Sequence, residues 1–271
     1  MIYAIFWIIG LSIIGICGYA ITYHFYEQIG GWFWFIVGVI CFMVTALWMF
    51  FNFYYLHWYD HWAWLFEIRS RRGIEFTIFF VGIFCALLQK IVNKRFEAKG
   101  IVASHNGLVL VFILVIPSFI KPILYPVDPS WQEKWERGVC IQTKTFTCGP
   151  ASTASLLYHF GIITTEEEVS EHTYLSRHGA EPWYLARYIR SKGLEVDFIS
   201  VPTQPADPPV PSIAGVKLVK KEGARHYIVV LGKSPNDFII ADPGYGLFRI
   251  PKSLAFQEYE FSGFVLHVTK Q

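Results

Sequence analysis

The 271-residue chain is 54% hydrophobic, 18% aromatic and 16% charged, with a formal net charge of +2, a balance that excludes an intrinsically disordered chain and a strongly basic nucleic-acid-binding one. Residues 1–124 carry 13 charged side chains (8 Lys+Arg, 5 Asp+Glu), whereas residues 125–271 carry 31 (15 and 16). This asymmetry predicts an N-terminal membrane anchor followed by a water-soluble domain. Without a Walker-type glycine loop, dinucleotide fingerprint or zinc-finger spacing, it calls for no nucleotide, cofactor or nucleic acid.

Residues 1–26 contain no Asp, Glu, Lys or Arg, and the apolar run 2–21 has roughly the 20-residue length of a bilayer-crossing helix. The start lacks the basic segment of a signal peptide, so the helix is expected to be retained. A second span is predicted at 32–53, with Trp32, Trp34, Trp48 and Tyr54 near its ends as interfacial anchors. The third, 74–92, is trimmed to 14 uncharged residues by Glu75 and Lys90, and a re-entrant segment is its competitor. The fourth, 107–124, contains Pro117 and Pro122, which bend or end it. The expected anchor is therefore a four-helix transmembrane bundle over 1–124.

With four spans both termini share a side. The Lys and Arg of alternate loops sum to 6 against 4, which by the positive-inside rule puts the soluble domain in the cytoplasm of a multi-pass protein of the bacterial inner membrane. His57, Asp60 and His61 lie at i, i+3 and i+4 and would share a helical face. Set among Trp58, Tyr59, Trp62 and Trp64, they read as interfacial residues, and no metal is assigned there.

A linker over 125–136 leads into a domain at 137–271 whose pattern is α+β. Helices are predicted at Ser152–Phe160, Glu166–His172 and Trp183–Lys192, and strands at Val196–Val201, Ile213–Val219, His226–Leu231, Phe238–Ala241 and Phe264–Val268. Of five cysteines, Cys17, Cys41 and Cys85 fall in the apolar spans and only Cys140 and Cys148 in the soluble half. A disulfide between these two is open, though the odd total suits a reducing compartment better.

Cys148 precedes Gly149 and Pro150, the latter suited to a first helical turn. A thiol at a helix N-terminus sits where the dipole favours thiolate, one route to a reactive cysteine. A thiolate nucleophile also needs a base and a group to orient that base. His226 opens one strand pattern and Asp242 closes the next, with a Pro235-Asn236-Asp237 turn between, so an antiparallel hairpin would pair them. Gln142, six residues before Cys148, can donate a side-chain amide to an oxyanion. His159 lies eleven residues along the helix from Cys148, roughly 16 Å away. His172, His178 and His267 lack a companion acid on a neighbouring strand, and all four read as packing or surface residues.

The stretch Gln142-Thr-Lys-Thr-Phe-Thr-Cys148-Gly-Pro-Ala, with His226 and Asp242-Pro243 beyond it, resembles the bacteriocin-processing, double-glycine leader peptidases, cysteine peptidase family 39, which are papain-like. The resemblance covers about residues 137 to 270. It implies that Gln142 forms the oxyanion hole, Cys148 is the nucleophile, His226 the general base and Asp242 the residue that orients it. Thr147 stands where transporter-linked members often carry Asp, and no transporter core or ATPase accompanies the domain. The expected protein is a membrane-anchored thiol peptidase acting on a peptide or leader substrate at small residues such as Gly-Gly. Its expected partners are that peptide and the lipid bilayer. The alternatives are a non-catalytic peptide-binding module and a thiol amide-transferase.

Overall fold

The computed structural model describes residues 2–29, 31–52, 62–96, 101–115, 120–128, 130–201, 207–221 and 224–270. In chain order the first helices are α1 (Ile2–Phe25), α2 (Gly31–Asn52), α3 (Ala63–Ser70), α4 (Ile78–Phe96, preceded by a 3-10 turn at Ile74–Thr77), α5 (Ile101–Val115) and α6 (Lys121–Leu124). The second half contains β1 (Lys134–Glu136), β2 (Val139–Ile141), α7 (Cys148–His159), α8 (Glu166–His172), α9 (Pro182–Ser191), β3 (Leu194–Ser200), β4 (Ser212–Leu218), β5 (Ala224–Lys233), β6 (Asp237–Asp242), β7 (Gly246–Pro251), α10 (Lys252–Glu258) and β8 (Tyr259–Lys270). The chain divides into two compact units, Met1–Trp58 with Arg72–Leu124, and Tyr59–Arg71 with Tyr125–Gln271.

In the first unit α4 packs against α1, α2 and α5. Glycine lets the backbones of α1 and α4 meet: a Cβ on Gly82 would collide with the Gly15 carbonyl, and one on Gly18 with that of Phe79. Small residues at such contacts, with polar side chains bridging helices, are how helices associate where the hydrophobic effect is weak. The bridging here is by Gln89 of α4, whose Oε1 accepts from the Tyr19 hydroxyl of α1 and, at 2.8 Å, from the Gly107 N–H of α5. Among the described residues, Gly31–Met49 and Ile74–Lys94 are long and apolar enough to cross a membrane, and Ile9–Phe25 is apolar but shorter. The helix expected at 107–124 instead runs from Ile101 to Val115. Pro117 lies outside the described residues. The residues His57, Asp60 and His61 lie outside the described residues.

The second unit is built on a six-stranded antiparallel sheet of order β3-β8-β4-β5-β6-β7, with β1 and β2 forming a separate pair. One face buries an apolar cluster that includes Val216, Ile228, Val230, Phe238, Ile240 and Phe261. The helix α7 lies against β5 and β2 and touches α8 and α9. Local chemistry explains the helix starts. Thr165 caps α8 by accepting from Glu168 N–H at 3.0 Å, and Glu166, Glu167 and Glu168 fill its first turn, where negative charge suits the dipole.

The helix α3 belongs by sequence to the stretch expected to be anchor, and in the structure it packs in the second unit. Its Phe66, 1% exposed, stacks on Trp183, Phe198 and Phe264 with centroids 4.6–6.5 Å apart. Arg187 of α9 caps its C-terminal end, donating to the carbonyls of Ser70, Arg69 and Arg71 at 3.1, 2.6 and 3.2 Å. Arg190 makes two bonds to the Glu67 carboxylate at 2.9 and 3.0 Å, and the Arg69 guanidinium lies 3.8 Å from the Trp183 ring centroid. A Phe66→Ala change is expected to cost about 3–5 kcal/mol. A fragment of residues 125–271 would present Trp183 and Phe264, 1% and 2% exposed in the whole chain, to water. Size-exclusion chromatography and thermal melting are expected to show aggregation that fusing residues 62–71 back reverses. A monomeric fragment melting at the same temperature with and without that segment would show that α3 contributes nothing.

Candidate active site

The site forms where α7 meets the hairpin of β5 and β6. The strands pair in the register Val229↔Ala241 and Val230↔Ile240. Continuing that register sets Asp242 opposite Ile228, so His226 and Asp242 are diagonal neighbours on one face, within reach of each other's side chains. The His226 Nε2 and Asp242 Oδ1 lie 2.8 Å apart, with the two residues 8% and 0% exposed.

Cys148 is the first residue of α7, and its backbone N–H is one of those left over by the helical ladder. The first turn is pressed onto β5 because Gly149 has no side chain: a Cβ there would stand 3.2 Å from Leu185 and 3.4 Å from Tyr227. The Ser152 hydroxyl then donates to the Tyr227 carbonyl at 3.0 Å, tying the helix to the residue after His226. The His226 ring interacts electrostatically with the Cys148 thiol that α7 presents. With Nε2 occupied by Asp242, Nδ1 is the nitrogen left for it.

Burial works to lower the His226 pKa, but hydrogen bonds to Asp242 and Cys148 and the charges of both outweigh it and raise the ring to about 9. Asp242 is held by three donors: His226 Nε2, the Gly244 N–H at 2.7 Å and the Tyr259 hydroxyl, which reaches Oδ2 at 2.8 Å from the start of β8. Burial first, and then the Asp242 charge, push the Tyr259 phenol above its ordinary value, so it remains a donor. Tyr259 was not legible as a site residue, because it arrives from a strand three places away in the sheet with no local motif around it.

Gln142 enters beside this group. Its N–H donates to the Pro243 carbonyl at 2.9 Å, joining the end of β2 to the turn after Asp242, and its Nε2 donates to the Lys144 carbonyl at 3.0 Å. The next residue is staked by α8, since the Glu166 carboxylate accepts from the Thr143 N–H at 2.9 and 3.1 Å and from its hydroxyl. Cys140 and Cys148 are both free thiols. Burial, followed by the charges of Glu166 and Glu133, pushes the Cys140 thiol up to about 12, so it stays protonated and unreactive. The other histidines are engaged elsewhere: His172 with the Glu168 carbonyl at 2.8 Å, His267 with that of Pro211 at 3.1 Å, His178 against the Tyr125 ring and His159 against Phe160.

Residues 137–271 match the model of the Peptidase C39 family. The C-terminal domain is a C39 cysteine peptidase domain. That assignment rests on the family match. Two curated relatives from Methanothermobacter are matched over most of their own lengths. A protein of Methanothermobacter marburgensis described as uncharacterized is 29% identical over 130 residues, 48% of this chain and 87% of that one. A second, from Methanothermobacter thermautotrophicus, is 25% identical over 116 residues, 43% and 78% of the two chains. Among solved structures, the peptidase domain of Streptococcus ComA, a bi-functional ABC transporter, is similar at 26% identity with a TM-score of 0.41, covering 48% of this chain and 96% of that one. A double glycine motif protease from an AMS/PCAT transporter, solved with its leader peptide, is 22% identical with a TM-score of 0.42, covering 52% and 100%.

Tyr259→Phe keeps the ring and removes one of the three donors to Asp242. Leaving a buried carboxylate oxygen unsatisfied is expected to cost about 1–3 kcal/mol, seen as a lower thermal midpoint, and to slow turnover more than it changes KM. A midpoint and turnover equal to wild type would show that the hydroxyl does not hold the carboxylate.

Proposed function

We propose that the chain is a membrane-anchored cysteine peptidase in which Cys148 is the nucleophile, His226 the general acid and base, Asp242 the residue that orients the imidazole, and Gln142 with the Cys148 N–H the oxyanion hole. The observation that carries this reading is a fully buried Asp242 bonded at 2.8 Å to His226, with Cys148 at the N-terminus of the helix that Ser152 ties to the same strand. The thiolate attacks the scissile carbonyl, the electron pair moves to oxygen, and the imidazolium gives its proton to the leaving amine. Water, deprotonated by the neutral ring, then opens the thioester. The substrate is a peptide or leader with small residues such as Gly-Gly at the cleavage site, a reading supported by the resemblance to the double-glycine leader peptidases.

The raised His226 value sets the pH behaviour. Its folded-state pKa lies above the ordinary 6.5, so its contribution to stability is full below about 6.5 and is lost as pH rises through about 9. Because the leaving amine needs the imidazolium proton, turnover is expected to fall with an alkaline limb near pH 9. Full-length protein in detergent is expected to cut Gly-Gly-containing peptides into two fragments, and Cys148→Ala to abolish this. Joined products would point to amide transfer. No cleavage, with a Cys148 alkylation profile that His226→Ala leaves unchanged, would overturn the reading.

The anchor is proposed as four membrane crossings, with the peptidase domain and both termini cytoplasmic. Connectivity supports an even count: α3 belongs to the same unit as the peptidase domain, so any crossings between Arg71 and Tyr125 come in pairs. The helices α4 and α5 then cross as a pair. In a cysteine-free background, Arg72→Cys and Arg137→Cys are expected to label with an impermeant maleimide from one side of the membrane and Lys94→Cys from the other. Labelling of all three from one side would remove the pair of crossings. Tethering concentrates the site near a membrane-bound or translocating substrate.

A further inference from the structure

A threonine at a helix N-cap ordinarily accepts a hydrogen bond from the first turn of its own helix. Thr147, the N-cap of α7 and 0% exposed, makes no such bond. Its hydroxyl turns back into the loop, donating to the Lys144 carbonyl at 2.8 Å and accepting from the Lys144 N–H at 3.0 Å. The same carbonyl accepts from the Thr147 N–H at 3.1 Å and from Gln142 Nε2 at 3.0 Å.

That carbonyl decides which way the Gln142 amide faces. Flipped, the amide would set its own oxygen against the Lys144 oxygen, two acceptors with no proton between them. As it stands, Gln142 Oε1 is buried without a hydrogen-bond partner among the described residues, an unfavourable state that the Lys144 carbonyl enforces. One Nε2 hydrogen is used on Lys144 and the second remains for an incoming oxygen. Lys144 is held from its other end as well. Its Nζ donates to the Asp128 carbonyl at 2.6 Å and to Ser130 Oγ at 3.3 Å, and lies 5.7 Å from the Trp131 ring centroid.

We propose that Thr147 is a positioning residue for the oxyanion hole: its hydroxyl fixes the Lys144 carbonyl, which holds the Gln142 amide with an N–H free for the substrate oxygen. This rests on the peptidase reading above. It gives a structural reason for a threonine immediately before the nucleophile, since the neutral hydroxyl both donates to and accepts from one residue, which an ionised carboxylate there could not do.

Two probes separate this role from general stability in the full-length, detergent-purified protein. A peptide aldehyde ending in Gly-Gly takes the Cys148 sulfur at its carbonyl carbon. The π pair moves to oxygen, which accepts the imidazolium proton, so affinity reads the oxyanion hole. Iodoacetamide is attacked at its methylene carbon with loss of iodide and reads the thiolate alone. Thr147→Val is expected to weaken aldehyde inhibition about tenfold, less than the loss of a whole oxyanion donor, with the alkylation rate unchanged. Thr147→Ser should restore wild-type inhibition, and in a Gln142→Ala background Thr147→Val should add no further loss. Aldehyde affinity unchanged in Thr147→Val, or a loss that persists without Gln142, would overturn the proposal. Should Thr147→Val also slow alkylation, the same comparison on Thr147→Ala decides. A wild-type chain that alkylates but binds no aldehyde would instead remove the peptidase reading, and this one with it.

Discussion

A carboxylate with no exposed surface is the costliest group in the second unit, and much of the local architecture satisfies it. Asp242 is 0% exposed, and a buried charge without donors would be expelled or neutralised. The β5–β6 hairpin brings His226 to one oxygen, the turn after Asp242 adds the Gly244 N–H to the same oxygen, and β8 sends Tyr259 across the sheet to the other. Each donor comes from a different piece of structure, so the sheet must be assembled before the carboxylate is satisfied. The arrangement also explains the imidazole. Asp242, fixed and unable to rotate away, gives His226 one orientation and one free nitrogen, and α7 packs on the same strand with Cys148 as its first residue.

The two halves of the site are joined through backbone as much as through side chains. Gln142 N–H reaches the Pro243 carbonyl and Ser152 reaches the Tyr227 carbonyl, so the Gln142 loop is pinned to the residue after Asp242 and α7 to the residue after His226. Neither bond involves a reacting atom. Both limit how far the thiol, the imidazole and the amide can drift from one another, and an active site depends on such pre-set distances more than on any single contact.

How far the site could be read from sequence follows from the range of each interaction. Cys148 and Gln142 are six residues apart on one loop, and His226 and Asp242 flank a turn signalled by Pro235, Asn236 and Asp237, so local chemistry was enough to mark all four. The helix α8 was placed to the residue because Thr165 and the three following glutamates specify its start. Strand β7 and helix α10 were missed, since Leu247–Phe248 and Ala255–Phe256 are too short to show a period before a proline or strand interrupts them. Tyr259 was missed for another reason: its partner lies 17 residues away in sequence and on a strand separated from β6 by β4 and β5. No window on the chain contains that relation.

The helix α3 was hidden by its surroundings. Eight residues beside Trp62, with Arg69 in their last turn and Arg71 and Arg72 behind them, look like the polar boundary of a membrane span, and Phe66 reads there as one more interfacial aromatic. What marks it as part of the soluble unit is its fit to side chains more than a hundred residues later, above all Arg187, whose guanidinium meets three consecutive carbonyls at the helix end. That capping needs a planar, forked donor, which lysine lacks. A helix so placed does more than fill a surface. It makes the second unit discontinuous in sequence, entered at Tyr59, left at Arg71 and re-entered at Tyr125, three junctions with the first unit where a terminal linker alone would give one.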